Sequence, residues 1–253
     1  MQKTGWIITL IIFFLMLNCA SKVKITRDMS AQDRFAACKE LIIKKKYLQA
    51  ITELERVRYE FSGTEYYVEV IYRLAEARRL NQDYPEALVN YQLVSRDYPN
   101  HVLAIPSAFF SAMCYEKMSN KAELDPENTI KAISSYNELI IDFPNSTYAD
   151  TARNHIEKLN NKLAEKEYKN GLLYYKIDQY KAAEIYLKTV IVDYFQSNWT
   201  DDSFYILGLV YLKLNQKEEA ELMFERLIQQ FPNSPLIKKA QKEIKQLSDI
   251  DHP

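Results

Sequence analysis

Glycine is nearly missing from this chain, with four residues in 253 against roughly 7% in an average protein. So few positions able to take positive φ leave little room for tight hairpins. Lys, Glu, Leu, Ile, Ala and Tyr abound instead and suit long helices joined by short turns. An excess of one charge is also missing. Lysine and arginine number 33 against 34 aspartates and glutamates, a formal net charge of −1, which argues against nucleic acid as a partner. Histidines are few and scattered, at His101, His155 and His252. There is no HExxH, paired CxxC, phosphate-binding glycine loop or serine elbow, so no catalytic residue, metal ligand or cofactor is assigned. His155 and its near neighbour Glu157 point to different faces of a helix, and His155 reads as surface or packing. Only a pocket that joined His155 to a carboxylate and a nucleophile would revive an enzyme. No apolar run is long enough to span a bilayer: residues 6–17 would make a helix of about 18 Å against a hydrocarbon core of about 30 Å.

What is present is 47% hydrophobic residues, enough for a sizeable core, arranged in a repeat. Ala50, Ala87, Ala132, Ala183 and Ala220 are each followed four residues on by a large side chain: Leu54, Tyr91, Tyr136, Leu187 and Phe224. Seven residues on stand Val57, Val94, Leu139, Val190 and Leu227. That spacing is one face of a helix. An aromatic follows at eleven (Phe61, Tyr98, Phe143, Tyr194, Phe231) and a proline at twelve in three copies (Pro99, Pro144, Pro232), where its ring ends the helix. Ser146 and Ser234 follow two of these prolines and are expected to cap or begin the next helix. Twelve residues before each alanine a small residue recurs, Cys38, Ala75, Gly171 and Gly208, letting two helices cross closely; Ala112 takes that part in the third repeat if residues 119–128 are an inserted loop. Asp125 and Pro126 close that loop as N-cap and first helical residue. The spectrum of elements predicted is all-α, five helix pairs and a capping helix. The first helix is expected from Arg34, and the second repeat from Glu65 with a turn at Asn81-Gln82-Asp83 whose Asn and Asp take the left-handed position. Residues 148–176 read as one long helix or two nearly coaxial ones, and the final helix runs from Ser234-Pro235 to about Leu247.

The amino terminus stands apart. Lys3, the apolar run and Asn18-Cys19-Ala20-Ser21 have the three regions of a secretory signal. The cysteine at its end resembles a bacterial lipoprotein signal, cut before Cys19, although Met16 and Asn18 stand where that pattern usually has Leu and a small residue. The resemblance implies a signal peptide over 1–18, diacylglycerol and N-acyl (palmitate) lipid on Cys19, and a tether over 19–33. An uncleaved signal anchor is the other reading. Cys38 and Cys114 read as buried thiols.

Small residue, alanine, large residue and proline at these spacings resemble the tetratricopeptide repeat, which implies a superhelix. Residues 123–152 (ELDPENTIKAISSYNELIIDFPNSTYADTA) and 163–183 (LAEKEYKNGLLYYKIDQYKAA) resemble, more narrowly, the BamD family of outer-membrane β-barrel assembly lipoproteins. That resemblance implies a non-enzymatic scaffold at the periplasmic face of the outer membrane of a Gram-negative bacterium. Its partners would be unfolded outer-membrane proteins, the barrel component with its periplasmic repeat domains, and accessory lipoproteins. Residues 34–146 would be the substrate-binding half, and 147–249, with the long helix, the partner-docking half.

In this repeat class the first helices line the concave side, and the fifth position of each is aromatic here: Phe35, Tyr72, Phe109, Tyr168 and Tyr205. The amino-terminal rings, with Lys39, Glu76 and Arg79 beside them, are candidates for a peptide groove; packing between helices is the plainer reading. Tyr168, Tyr174, Tyr175 and Tyr205 are candidates on the docking half, Tyr174 and Tyr175 resembling the family's paired tyrosines. Lysine runs at 44–46 and 238–245 could face anionic headgroups or an acidic partner and read first as solvated helix surface. The rival to the assembly role is a repeat lipoprotein serving cell-division or peptidoglycan complexes, which would tend to lack the long helix.

Overall fold

A computed structural model describes residues 25–26, 28–119, 121 and 124–251; the signal segment, Cys19 and the first part of the tether lie outside the described residues. Among the described residues there are eleven helices and no strand, so the fold is all-α. The pairs are α1 (Ala31–Ile43) with α2 (Tyr47–Glu60), α3 (Tyr67–Leu80) with α4 (Tyr84–Asp97), and α5 (Ala104–Met118) with α6 (Glu127–Asp142). Then come α7 (Thr147–Lys176) with α8 (Tyr180–Asp193), α9 (Thr200–Lys213) with α10 (Lys217–Gln230), and the single α11 (Ile237–Asp251). Two compact units divide the chain, Met1–Asn90 and Tyr91–Pro253, so α4 begins in one and ends in the other.

The repeat pattern is the core. All fifteen residues at the alanine, fourth and seventh positions are buried, none more than 1% exposed. The small residues mark the helix crossings as expected. A Cβ on Gly171 would stand 2.7 Å from Cγ of Leu187, and one on Gly208 would strike the Phe224 ring; each glycine thus faces the large residue at the fourth position of its own repeat. Ala112 is fully buried, in the role the insertion assigns it. Within each unit helices pack on their chain neighbours, α1 on α2 and α2 on α3, then α5 through α11 in succession, as in a solenoid.

The ends of the helices differ from expectation in informative ways. α1 begins at Ala31, three residues early, because the Ser30 hydroxyl accepts the Asp33 N–H (3.1 Å) and donates to the Asp33 carboxylate (2.7 Å), a cap worth about 1 kcal/mol. α3 starts at Tyr67, two residues late. In the turn after α3 the left-handed residue is Gln82 (φ 68°), not its Asn or Asp neighbour. Lys45, Asp178 and Asn215 hold the same place in repeats one, four and five. Each turn closes with a six-to-one hydrogen bond, for example Gln216 N–H to Tyr211 O at 2.9 Å, the Schellman arrangement. Here residues other than glycine accept positive φ, which explains how so little glycine suffices. Residues 147–176 form one helix of 30 residues, about 45 Å long, whose N-cap Ser146 accepts the Ala149 N–H at 3.1 Å. Asp125 accepts the Glu127 N–H at 3.0 Å, but the helix starts one residue later than expected, with Pro126 at the N-cap and Glu127 as the first helical residue. The last helix starts at Ile237 and runs to Asp251, later at both ends than the sequence suggests, since Ser234 is engaged in the preceding turn, accepting the Leu236 N–H and donating to Asp201 (2.7 Å).

Candidate functional site

In the first unit the two ladder rings lie inside. Phe35 is 5% and Tyr72 8% exposed, and Phe35 meets Phe61 edge-on with centroids 6.0 Å apart. Charged side chains cover them. The Lys39 ammonium stands 4.6 Å from the Phe35 ring centroid and 3.5 Å from Glu69. Arg73 lies over the Tyr72 ring at 5.7 Å and pairs with Glu76 (2.8 Å) and Glu69 (3.7 Å). A row Lys39–Glu69–Arg73–Glu76 therefore runs over α1 and α3. Burial works against the Arg73 charge, but its bond to Glu76 and the charges of Glu76 and Glu69 outweigh that and raise its pKa. Sequence reasoning singled out Lys39 and Glu76 and missed Glu69 and Arg73, although their spacing on one helix face was a readable signal. Arg79 is half-buried on the same helix. The surface here is a row of alternating charge, with the aromatic rings beneath it.

Phe109 belongs to the second unit and is 4% exposed, packed against Phe110, Tyr136, Tyr148 and His155 at 5.1–5.7 Å. Beside it lies a three-helix tie. One carboxylate oxygen of Glu116 on α5 accepts the Tyr136 hydroxyl of α6 at 2.8 Å and lies 2.7 Å from Nδ1 of His155 on α7. His155 stacks on the Tyr136 ring at 5.2 Å, and Lys162 donates to Ser119 (2.6 Å), itself 2.5 Å from Thr129. Burial, then the Glu116 charge, pushes the Tyr136 phenol far up. The phenol is a donor held on Glu116, and the Glu116–Tyr136–His155 contact joins α5, α6 and α7. Among the described residues no cluster of His, Cys, Asp and Glu could hold a metal ion.

Toward the carboxy terminus the tyrosines are half-buried and paired with other rings. Tyr168 stacks on Trp199 at 5.0 Å and Tyr174 lies parallel to Tyr186 at 5.2 Å. Tyr175 tilts toward Tyr180 at 6.1 Å, and Tyr205 meets Phe224 at 5.8 Å with the Lys239 ammonium 6.0 Å from its centroid. The adjacent Tyr174 and Tyr175 thus turn to different partners, as neighbours on a helix must. Burial raises the phenols of Tyr168, Tyr175 and Tyr205, helped by Asp202 and Asp201 at the first and by Glu243 at the other two. Burial, then Asp201, raises the Asp202 carboxyl against the pull of Lys239. The structure so gathers aromatic rings, three acids (Asp201, Asp202 and Glu243) and a lysine from α7, α9 and α11. A second feature was invisible in the sequence: an open groove of about 590 Å³ between α7 and the end of α8, lined among others by Arg153, Ile156, Asn160, Val192 and Phe195.

A family model described as outer membrane lipoprotein, YfiO, matches residues 27–223. The chain is 25% identical over 196 residues to the outer membrane protein assembly factor BamD of Rickettsia prowazekii (strain Madrid E), covering 77% of this chain and 78% of that one. It is 24% identical to the BamD of Caulobacter vibrioides over 178 residues, 69% of this chain and 58% of the relative. Among solved structures, a TPR repeats protein of Bacteroides fragilis is similar with a TM-score of 0.48 at 16% identity, over 86% of this chain and 99% of that one.

Proposed function

This chain belongs to the YfiO family of outer membrane lipoproteins, and from that premise we propose that it is a non-enzymatic scaffold of the outer-membrane β-barrel assembly machinery. Its similarity to assembly factors named BamD supports a role in outer membrane protein assembly. The observation that carries the reading further is α7. One uninterrupted helix joins the third repeat to the fourth, the feature that separates this role from that of a repeat lipoprotein in division or peptidoglycan complexes. The Glu116–Tyr136–His155 tie fixes it to the third pair.

In this reading lipid on Cys19 holds the chain at the periplasmic face of the outer membrane. The charged row over Phe35 and Tyr72 receives an unfolded outer-membrane strand, its backbone and terminal carboxylate matched by Lys39 and Arg73. The half-buried tyrosines of α7 and α9 receive the barrel component. The test is a pull-down from detergent-solubilised outer membranes through a tag at Pro253, with Cys19→Ala as control. Recovery of a β-barrel protein with periplasmic repeat domains is expected. Recovery of only peptidoglycan-associated or division proteins would replace this role with the rival.

A further inference from the structure

The α1–α2 turn is unlike the three others of its kind. The corresponding turns carry Asn81-Gln82-Asp83, Ile177-Asp178-Gln179 and Leu214-Asn215-Gln216, whereas this one is Lys44-Lys45-Lys46. Ile43 and Leu48 flank the lysines, 79% and 68% exposed, among the most exposed large apolar residues described. Lys44 pairs with Glu40 at 2.6 Å, while Lys45 and Lys46 project into solvent. Packing explains none of this, since Leu41 and Ile42 already fill the core beneath. A solvated helix end would need the charge and not the two aliphatic side chains. Cations ringing exposed aliphatic groups at the tip of a rigid turn are the pattern that suits a bilayer interface, with ammonium groups at the phosphates and short apolar side chains at the acyl boundary.

We propose that the Ile43–Leu48 tip is a second membrane contact, docking on the anionic phospholipid headgroups of the leaflet that holds the chain; it rests on the membrane-anchored reading above. The distances allow it. The twelve residues from Cys19 to Ser30 can extend to at most about 40 Å, twice the length of α1 at about 20 Å, so the tip can lie on the same surface as the anchor. Two contacts would orient the first repeat against the bilayer, where the lipid anchor alone would leave it free to tumble.

A position-resolved depth measurement tests this. The full chain, lipidated at Cys19 and carrying Leu48→Cys, is labelled with an environment-sensitive fluorophore; Cys19, its sulfur taken up in the lipid thioether, the buried Cys38, whose thiol burial pushes up to about 12, and the buried Cys114 stay unlabelled. It is reconstituted in phosphatidylglycerol–phosphatidylethanolamine vesicles containing brominated lipid, beside a control labelled at Leu222→Cys. Quenching at 48 at least threefold that at 222 is expected, reduced by half or more in Lys45→Glu/Lys46→Glu and in phosphatidylcholine vesicles. If the chain fails to float with vesicles at all, the membrane-anchored reading falls and this contact with it. If it floats but the label at 48 stays in water, or charge reversal changes nothing, the tip contact alone is overturned. Protection of the label only when an acidic protein partner is added would likewise overturn it in favour of a protein site.

Discussion

The two units build the same repeat and finish it differently. In the first, the rings at the fifth position of the leading helices are sealed under ion pairs, Lys39 over Phe35 and Arg73 over Tyr72. In the second, Phe109 is buried among other rings, while Tyr168 and Tyr205 remain half-buried, the one stacked on Trp199 and the other tilted against Phe224. The turns differ in the same sense: left-handed positions hold Lys45 and Gln82 in the first unit, Asp178 and Asn215 in the second. Core positions are set by the repeat and are shared; surface chemistry is not. A charged surface is weakened by salt, whereas stacked, partly desolvated rings are far less so.

The shared part of the comparison is tested by the largest effect. Leu54→Ala and Leu187→Ala, both fully buried, should each cost about 2–5 kcal/mol. Hydrogen exchange should quicken in α1–α3 for the former and in α7–α9 for the latter; one diffuse pattern for both would show that the units do not open separately. Next, Glu116→Ala strips the acceptor from Tyr136 and His155 and should cost about 1–3 kcal/mol in urea unfolding. Its counterpart in the first unit, Arg73→Ala, should cost under about 1 kcal/mol and less still at high salt. Equal, salt-independent losses would erase the distinction between the two surfaces. Gln82→Gly should then raise stability by up to about 1 kcal/mol by relieving a left-handed glutamine, and Asn215→Gly by only a few tenths, because asparagine tolerates that conformation. The smallest effect is one of pH. Burial holds the Asp202 carboxyl above the ordinary aspartate value of 3.8, so the folded state binds its proton more tightly than the unfolded one. The cost is present at neutral pH and fades as pH falls through the folded value toward 3.8. Asp202→Asn should therefore be more stable than the parent at pH 7, with the difference closing in acid, as followed by urea midpoints.

Periodic features of the fold were legible because each repeats: the alanine face, the small residues opposite it, the proline stops, the long helix. Single events were not. Ser30 caps α1 through Asp33, a local signal outside the repeat, and Gln82 takes positive φ because the register of the Schellman turn, not residue preference, selects the position. Of the candidate residues, Phe35, Tyr72 and Phe109 were placed correctly on their helices, but spacing alone cannot tell a ring that lines a surface from one beneath it. The Glu116–His155 contact joins residues 39 apart in the chain, and no one-dimensional pattern announces it.

The length of α7 is itself constrained. Alanines that stand 37 residues apart between the first and second repeats and between the fourth and fifth stand 51 apart across this helix, and the extra fourteen residues amount to about 3.9 turns. Four whole turns would return the helix to the same azimuth, so the face presented to α8 stands within about forty degrees of where a repeat of ordinary length would put it relative to the face presented to α6. One residue more or fewer would swing everything downstream by about 100° and shift it about 1.5 Å along the axis. The inserted loop at 119–128 can lengthen without such a consequence. α7 works as a keyed shaft, and evolution can alter its length only in steps that keep the key aligned.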